Sequence, residues 1–278
     1  MINSILVGVD SSAYGRAALR HAVELASVYK AQLTGLHVLD VRYLEMPPYL
    51  DYSYAFEAVP PVVVPPEVTE QFRAKCERLL EDVRRTAEAR GVTVSTRAEE
   101  GVPGQVLADV GRSCDLLVIG KRGEHAKWAR DLLGSTAEAV VRRSSTPVML
   151  AEHEFRIVGR VVVLFDGSDP AKRALELAAD LAGRLEAEMV VLTVDDDAER
   201  GRQVLNQAAV GCEALGTKVS FHLRPGKTVK ATLAFLAEEP ADLVILGMRG
   251  HSPLRELILG RTTEQLMRQV KLPVVLVP

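Results

Sequence analysis

The sequence predicts an α/β fold written twice in tandem: two open, mostly parallel five-stranded sheets, each flanked by helices. Three observations predict it. Short runs rich in Val, Ile and Leu alternate with segments of helical period, the pattern of a parallel sheet covered on both faces. These runs recur in the same order in the two halves of the chain. A length of 278 residues also suits two domains of ordinary size.

The first strand, in ILVGVDSS (Ile5 to Ser12), parallels VVVLFDGS (Val161 to Ser168) at an offset of 156. Each is an apolar run ending in Asp and small turn residues. An amphipathic helix follows each. Leu19, Ala22, Val23 and Ala26 lie at i, i+3, i+4 and i+7, as do Leu175, Ala178, Ala179 and Ala182, so each set shares one helix face. The second strands, TGLHVLD (from Thr34) and MVVLTVD (from Met189), differ in position by 155. The third, GVTVSTR (from Gly91) and GTKVSFH (from Gly216), are offset by 125. The fourth, DLLVIG and DLVILG, are offset by 127, and the fifth, in TPVML and LPVVL, by 126.

The fall in offset from 155 to 125 gives the first half 30 extra residues between its second and third strands. That segment, 40–66, is rich in proline and holds Tyr43, Tyr49, Tyr52, Tyr54 and Phe56. Its prolines disfavour helix, and it reads as a flap packed on the partner half or on another chain, with a lid over the first site as the alternative. Domain boundaries of 1–153 and 154–278 follow, separated in the polar stretch AEHEFRIVG. Both fifth strands begin with Pro, as edge strands tolerate, and pairing of these two edges would join the halves.

Composition narrows the function. The formal net charge of −3 gives no electrostatic case for nucleic acid or an anionic membrane. No apolar run approaches the length of a membrane span, and the N-terminal residues lack the pattern of a signal peptide. Cys76, Cys114 and Cys212 are far apart and odd in number, which suggests neither a disulfide framework nor a metal cluster. Cys114, beside a buried-strand run, reads as a packed thiol. A cytoplasmic location is expected.

In such sheets ligands bind beyond the carboxyl ends of the strands. After the first strands stand Asp10-Ser11-Ser12 and Asp166-Gly167-Ser168; helix capping explains Asp and Ser there, and ligand contact is compatible with it. After the fourth strands, Gly120-Lys121-Arg122-Gly123 is followed ten residues on by Gly134-Ser135-Thr136. Gly247-Met248-Arg249-Gly250 is followed nine residues on by Gly260-Arg261-Thr262-Thr263. Glycines admit a ligand close to the backbone, a helix N-terminus offers free N–H groups, and Arg122 and Arg249 add charge-assisted bonds to phosphate. No P-loop and no G-x-G-x-x-G is present. The six histidines, His21, His37, His125, His153, His222 and His251, show no metal-ligand spacing; His251 reads as a loop side chain, with a phosphate contact as the alternative, and Asp195 to Asp197 as a solvated turn. No nucleophile–base pair emerges.

With these residues in view, each half resembles the universal stress protein family, whose loop is G-x2-G-x9-G-[ST] between fourth strand and fourth helix. The text V-G-V-D-S-S, L-H-V-L-D, D-L-L-V-I-G and S-T-P-V agrees in order. The resemblance implies an adenine nucleotide α-hydrolase-like, Rossmann-like fold packed as a pseudo-dimer, a homodimer of the whole chain, and ATP, with or without Mg²⁺, as ligand. Carried over by position, it implies nucleotide contacts from Asp10, Val38, Gly120, Arg122, Gly123, Gly134, Ser135 and Thr136. In the second half it implies Asp166, Val194, Gly247, Arg249, Gly250, Gly260, Arg261, Thr262 and Thr263.

Both copies depart from the motif. The first has ten residues in the gap, the extra one around Trp128. The second has Arg261 where Ser or Thr is expected, and Phe165 in place of Val9 crowds its pocket. The resulting expectation is a nucleotide-dependent stress-response sensor or regulator, not an enzyme beyond weak ATP hydrolysis. The alternative is an interaction or scaffold protein of the same family that has lost its nucleotide.

Overall fold

The computed structural model describes residues 2–42, 66–124, 133–215, 219–248 and 259–278. The first half runs β1 (Ser4–Gly8), α1 (Ala13–Tyr29), β2 (Gln32–Asp40), α2 (Pro66–Glu88), β3 (Val94–Gly101), α3 (Pro103–Gly111), β4 (Leu116–Gly120), α4 (Ser135–Arg143) and β5 (Val148–Ala151). The second repeats the order: β6 (Arg160–Leu164), α5 (Asp169–Leu185), β7 (Glu188–Val194), α6 (Ala198–Leu215), β8 (Val219–Arg224), α7 (Thr228–Glu238), β9 (Leu243–Gly247), α8 (Arg261–Gln269) and β10 (Val274–Val277).

The two five-stranded sheets are one. Strand order is β3-β2-β1-β4-β5-β10-β9-β6-β7-β8, parallel within each half. The single antiparallel pair among the described strands is β5 with β10, where Val274, Val275 and Leu276 face Leu150, Met149 and Val148. The expected pairing of the two Pro-led strands is therefore what joins the halves. Both strands carry only buried residues, because a strand at the middle of a ten-stranded sheet is covered on both faces.

Helices α1, α2, α5 and α6 contribute to the core on one face; α3, α4 and α8 do so on the other, with α7 covering the β6–β7 end. The periodic sets Leu19, Ala22, Val23, Ala26 and Leu175, Ala178, Ala179, Ala182 are all buried, each burial of a Leu or Val side chain contributing roughly 1.5–3 kcal/mol. The helices α1 and α5 begin and end alike. The hydroxyls of Ser12 and Ser168 accept from the N–H groups of Gly15 and Ala171, filling one of the open donors of the first turn. Lys30 and Glu186 close them in the left-handed region at φ 54°.

One boundary moves. The third strand, read from Gly91, starts at Val94, because Gly91 takes a left-handed φ of 65° in the turn that ends α2. Cys114 is half-buried beside the core, and burial pushes its thiol up, consistent with a packed side chain. Residues 43–65, with the five aromatics of the long insertion, lie outside the described residues, as do His125, Trp128, Arg249, Gly250 and His251.

Candidate functional site: two unequal clefts at the strand ends

A cleft of about 500 Å³ opens where the first half's strand order reverses, between the carboxyl ends of β1 and β4. All eight residues expected there line it: Asp10, Val38, Gly120, Arg122, Gly123, Gly134, Ser135 and Thr136. The topology explains the convergence. Asp10 follows β1, Val38 lies near the end of β2, the Gly120 loop follows β4, and Gly134 is the residue before α4. The Gly134 N–H donates to the Lys121 carbonyl at 3.0 Å, which clamps the two ends of the loop. The first N–H groups of α4 beside Ser135 and Thr136 then face the cleft mouth as a donor set.

The motif glycines do different jobs. A Cβ on Gly120 would stand 2.8 Å from Cβ and 2.9 Å from the carbonyl carbon of Tyr14, so glycine there lets α1 seat against the strand end. A Cβ on Gly123 would meet only the Asp10 carboxylate, at 3.1 Å. Gly123 therefore keeps space inside the cleft itself.

Asp10 supports the cap as well as the cleft. Its Oδ1 accepts from the Ser12 N–H at 2.9 Å and hydroxyl at 2.5 Å. Burial raises its carboxyl above the usual range, opposed by those bonds. His37 lines the cleft with its Nδ1 2.9 Å from the Val9 carbonyl.

Sequence reasoning missed several lining groups. Phe72 and Lys75 reach the cleft from α2, Asp40 and Arg42 from the end of β2, Pro103 and Leu107 from α3, and Glu124 from the glycine loop. Glu124 accepts from the Ser11 N–H and hydroxyl at 3.0 and 2.8 Å and from Lys75 Nζ at 2.6 Å. Burial alone would raise its carboxyl, but these bonds prevail and hold it near 2. Arg42 grips Asp40 through Nε and Nη2 at 2.8 and 2.5 Å. Asp40, Pro103 and Glu124 had a usable signal, since each closes or follows a strand end or the glycine pair; α2 follows the insertion and carries no motif.

The second cleft, about 340 Å³, occupies the equivalent place. Asp166, Val194, Gly247, Gly260, Arg261, Thr262 and Thr263 line it. Three changes set it apart. Phe165 is buried in its wall where the first half has Val9. Thr193 donates its hydroxyl to the Phe165 carbonyl at 2.8 Å, replacing the His37–Val9 contact. Thr263 stands where the first half has Ala137 and donates its hydroxyl to the Gly247 carbonyl at 3.2 Å. Arg261 is exposed, so it does not plug the cleft.

Between the clefts, α4 and α8 meet across the pseudo-twofold. Arg142 pairs with Glu138 at 2.9 Å and Arg268 with Glu264 at 2.8 Å, and longer contacts of 3.9 Å cross from each helix to the other. Deeper, Lys121 is buried, bonding Glu152 Oε1 at 2.6 Å and the Val270 carbonyl at the end of α8. Its equivalent in the second half is Met248.

Among the described residues no cluster of three or more His, Cys, Asp or Glu is arranged to hold a metal ion, and no helix is long and apolar enough to cross a membrane.

The sequence matches the model of the universal stress protein family over residues 1–152, 158–211 and 196–278. A universal stress protein of Synechocystis sp. is 25% identical over 98% of this chain and 99% of its own length. One from Mycolicibacterium smegmatis is 27% identical over 98% and 96%. The crystal structure of a universal stress protein from Archaeoglobus fulgidus covers 99% of this chain and 96% of its own, at 25% identity and a TM-score of 0.78.

Proposed function

The chain belongs to the universal stress protein family, and on that premise we propose that its first cleft binds ATP or a related adenine nucleotide. The observation that carries this reading is the gathering of all eight motif-derived residues around one cleft of about 500 Å³. That volume falls within the usual range for small-molecule sites, roughly 300–1,000 Å³. The base and ribose would lie along Val38 and Asp10. The phosphates would lie against Gly123, Arg122 and the N-terminus of α4, where N–H donors and the helix dipole favour anions.

The donor set fits a nucleotide with one addition. Glu124 puts negative charge at the phosphate end, with the Asp10 carboxyl at the ribose. Mg²⁺ carried on the phosphates would offset it, as this ion is commonly held by substrate phosphates and waters rather than by a protein cage. Both carboxylates are engaged as acceptors, which favours binding over turnover. The protein would then act in the cytoplasm as a nucleotide-dependent sensor or regulator, its loops braced by occupancy.

The second cleft supports the other reading. Phe165 in the wall goes with a smaller space, and Arg261 stands in place of a small hydroxyl residue. We propose that this half serves mainly as an interaction module whose nucleotide affinity is far below that of the first. The test is to purify the chain without added ligand, denature it and assay the released nucleotide. Nucleotide at about one per chain is expected; none released, together with no thermal shift at millimolar ATP, overturns the reading.

A further inference from the structure

Glu124 follows Gly123 directly and lines the first cleft. Its carboxylate is gripped by three donors from two separate elements. The Ser11 N–H and hydroxyl, in the turn after β1, reach Oε1 at 3.0 and 2.8 Å. Lys75 Nζ, on α2, reaches Oε2 at 2.6 Å. Burial opposes the charge, yet these bonds hold the group near 2. A cation, a backbone N–H and a hydroxyl converging on one carboxylate are also the donors that bind phosphate oxygens.

The second half lacks every part of this arrangement. Gly167, in the left-handed region at φ 82°, stands in place of Ser11 and has no hydroxyl. Arg200, at the offset of 125 from Lys75, pairs instead with Asp195 at 2.6 Å. His251 follows Gly250 where Glu124 follows Gly123. The shared fold therefore does not require the contact. Nor is it locked in the core, since the side chains of Lys75 and Glu124 are 33% and 32% exposed, and ion pairs open to water are weak enough to exchange. Asp10 is close enough that the charge of Glu124 adds to the burial that raises its carboxyl. An incoming phosphate would meet the same repulsion, which Mg²⁺ carried on the nucleotide offsets.

We propose that Ser11 and Lys75 form a phosphate subsite of the first cleft, closed by Glu124 as a resident anion and opened when a phosphate of the nucleotide takes its place. This rests on the nucleotide reading of that cleft. A phosphate carries more charge and more acceptor oxygens than a carboxylate, so it competes for the same donors on favourable terms. A nucleoside without phosphate has nothing to exchange for the carboxylate. The contact thus ties a change in the glycine loop to the phosphates of the ligand and not to its base.

Calorimetric titration of the full chain, freed of bound nucleotide, with ATP and Mg²⁺, with adenosine and with tripolyphosphate tests this. Glu124→Ala is expected to raise ATP affinity at least fivefold and to leave that of adenosine unchanged. In the Glu124→Ala protein, adding Ser11→Ala, which alters no charge, or Lys75→Ala should take back most of the gain. In the parent chain the same two substitutions should change ATP affinity less than twofold, because each loosens the hold on Glu124 as it weakens the hold on phosphate. ATP affinity of Glu124→Ala at or below that of the parent, an equal gain for adenosine, or a gain untouched by Ser11→Ala overturns the proposal while the nucleotide reading stands. ATP bound by neither protein counts against the nucleotide reading. Tripolyphosphate bound by Glu124→Ala and weakened by Ser11→Ala then keeps the subsite, and no such binding overturns it.

Discussion

Lys121 of the first half donates from Nζ to the backbone carbonyl of Val270 in the second, 149 residues away, while pairing with Glu152. The same Lys121 accepts the Gly134 N–H at its backbone carbonyl. One residue thus anchors the start of α4 and the end of α8, the helices whose first turns border the two clefts.

Lys121→Met, the change to the residue of the second half, is expected to destabilise the fold by about 3 kcal/mol, because it strands the buried Glu152 carboxylate. Adding Glu152→Gln should recover part of the loss. Urea unfolding of the single and double variants checks both, and equal stability of the parent and the single variant would count against a buried, paired lysine.

Gly123→Val is expected to weaken ATP binding at least tenfold while leaving the circular dichroism spectrum unchanged, since the new side chain enters the cleft beside Asp10. Gly120→Val should instead lower the melting temperature, because the clash there is with the Tyr14 backbone. Calorimetric titration and thermal unfolding of the same two proteins separate the roles.

The acid limb of stability should depend on Glu124. Its folded value near 2 lies below the ordinary carboxylate value of 4.5. Its contribution is therefore present above about pH 4.5 and lost as pH falls toward 2. Glu124→Gln should flatten that part of a stability-against-pH curve, and an unchanged slope between pH 4.5 and 2 would contradict the Lys75 and Ser11 bonds.

His21 titrates in a separate window. Burial, with Arg20 nearby, sets the folded value near 4 against an unfolded one near 6.5, so the unfolded chain binds the extra proton between them and stability rises with pH across that window. The full contribution is present above pH 6.5, and up to about 3 kcal/mol is lost on acidification to pH 4. His21→Leu should remove this slope while leaving the one due to Glu124.

Restoring the motif in the second cleft should not by itself restore a site. Arg261→Ser is expected to leave ATP affinity there unchanged, because Phe165 still narrows the wall. The double variant Phe165→Val with Arg261→Ser should raise it, read as a second binding event in titration of the Gly123→Val background.

What was legible in the sequence followed local rules. The faces of α1 and α5 came from spacing at the helical period, and the cleft residues from their place just after strand ends. Lys121 was not legible, since hydropathy puts a lysine on the surface and its partner lies across the pseudo-twofold. Phe72 and Lys75 were hidden because α2 follows a long insertion and is brought to the cleft only by packing. His21 read as one more residue of α1; only the linker folding over it, with Phe155 against its ring, sets it apart from Leu177, its equivalent in the second half.

The β5–β10 pair also has a consequence for synthesis. Leu150 leaves the ribosome about 120 residues before Val274, its partner in the sheet. At about 5–20 residues per second, the first half waits roughly 6–24 seconds with an entirely apolar strand as its open edge. Such an edge is a template for pairing with another nascent chain. Conditions that slow elongation lengthen that wait, so the yield of correctly joined halves should fall with translation rate and not with the stability of the finished protein.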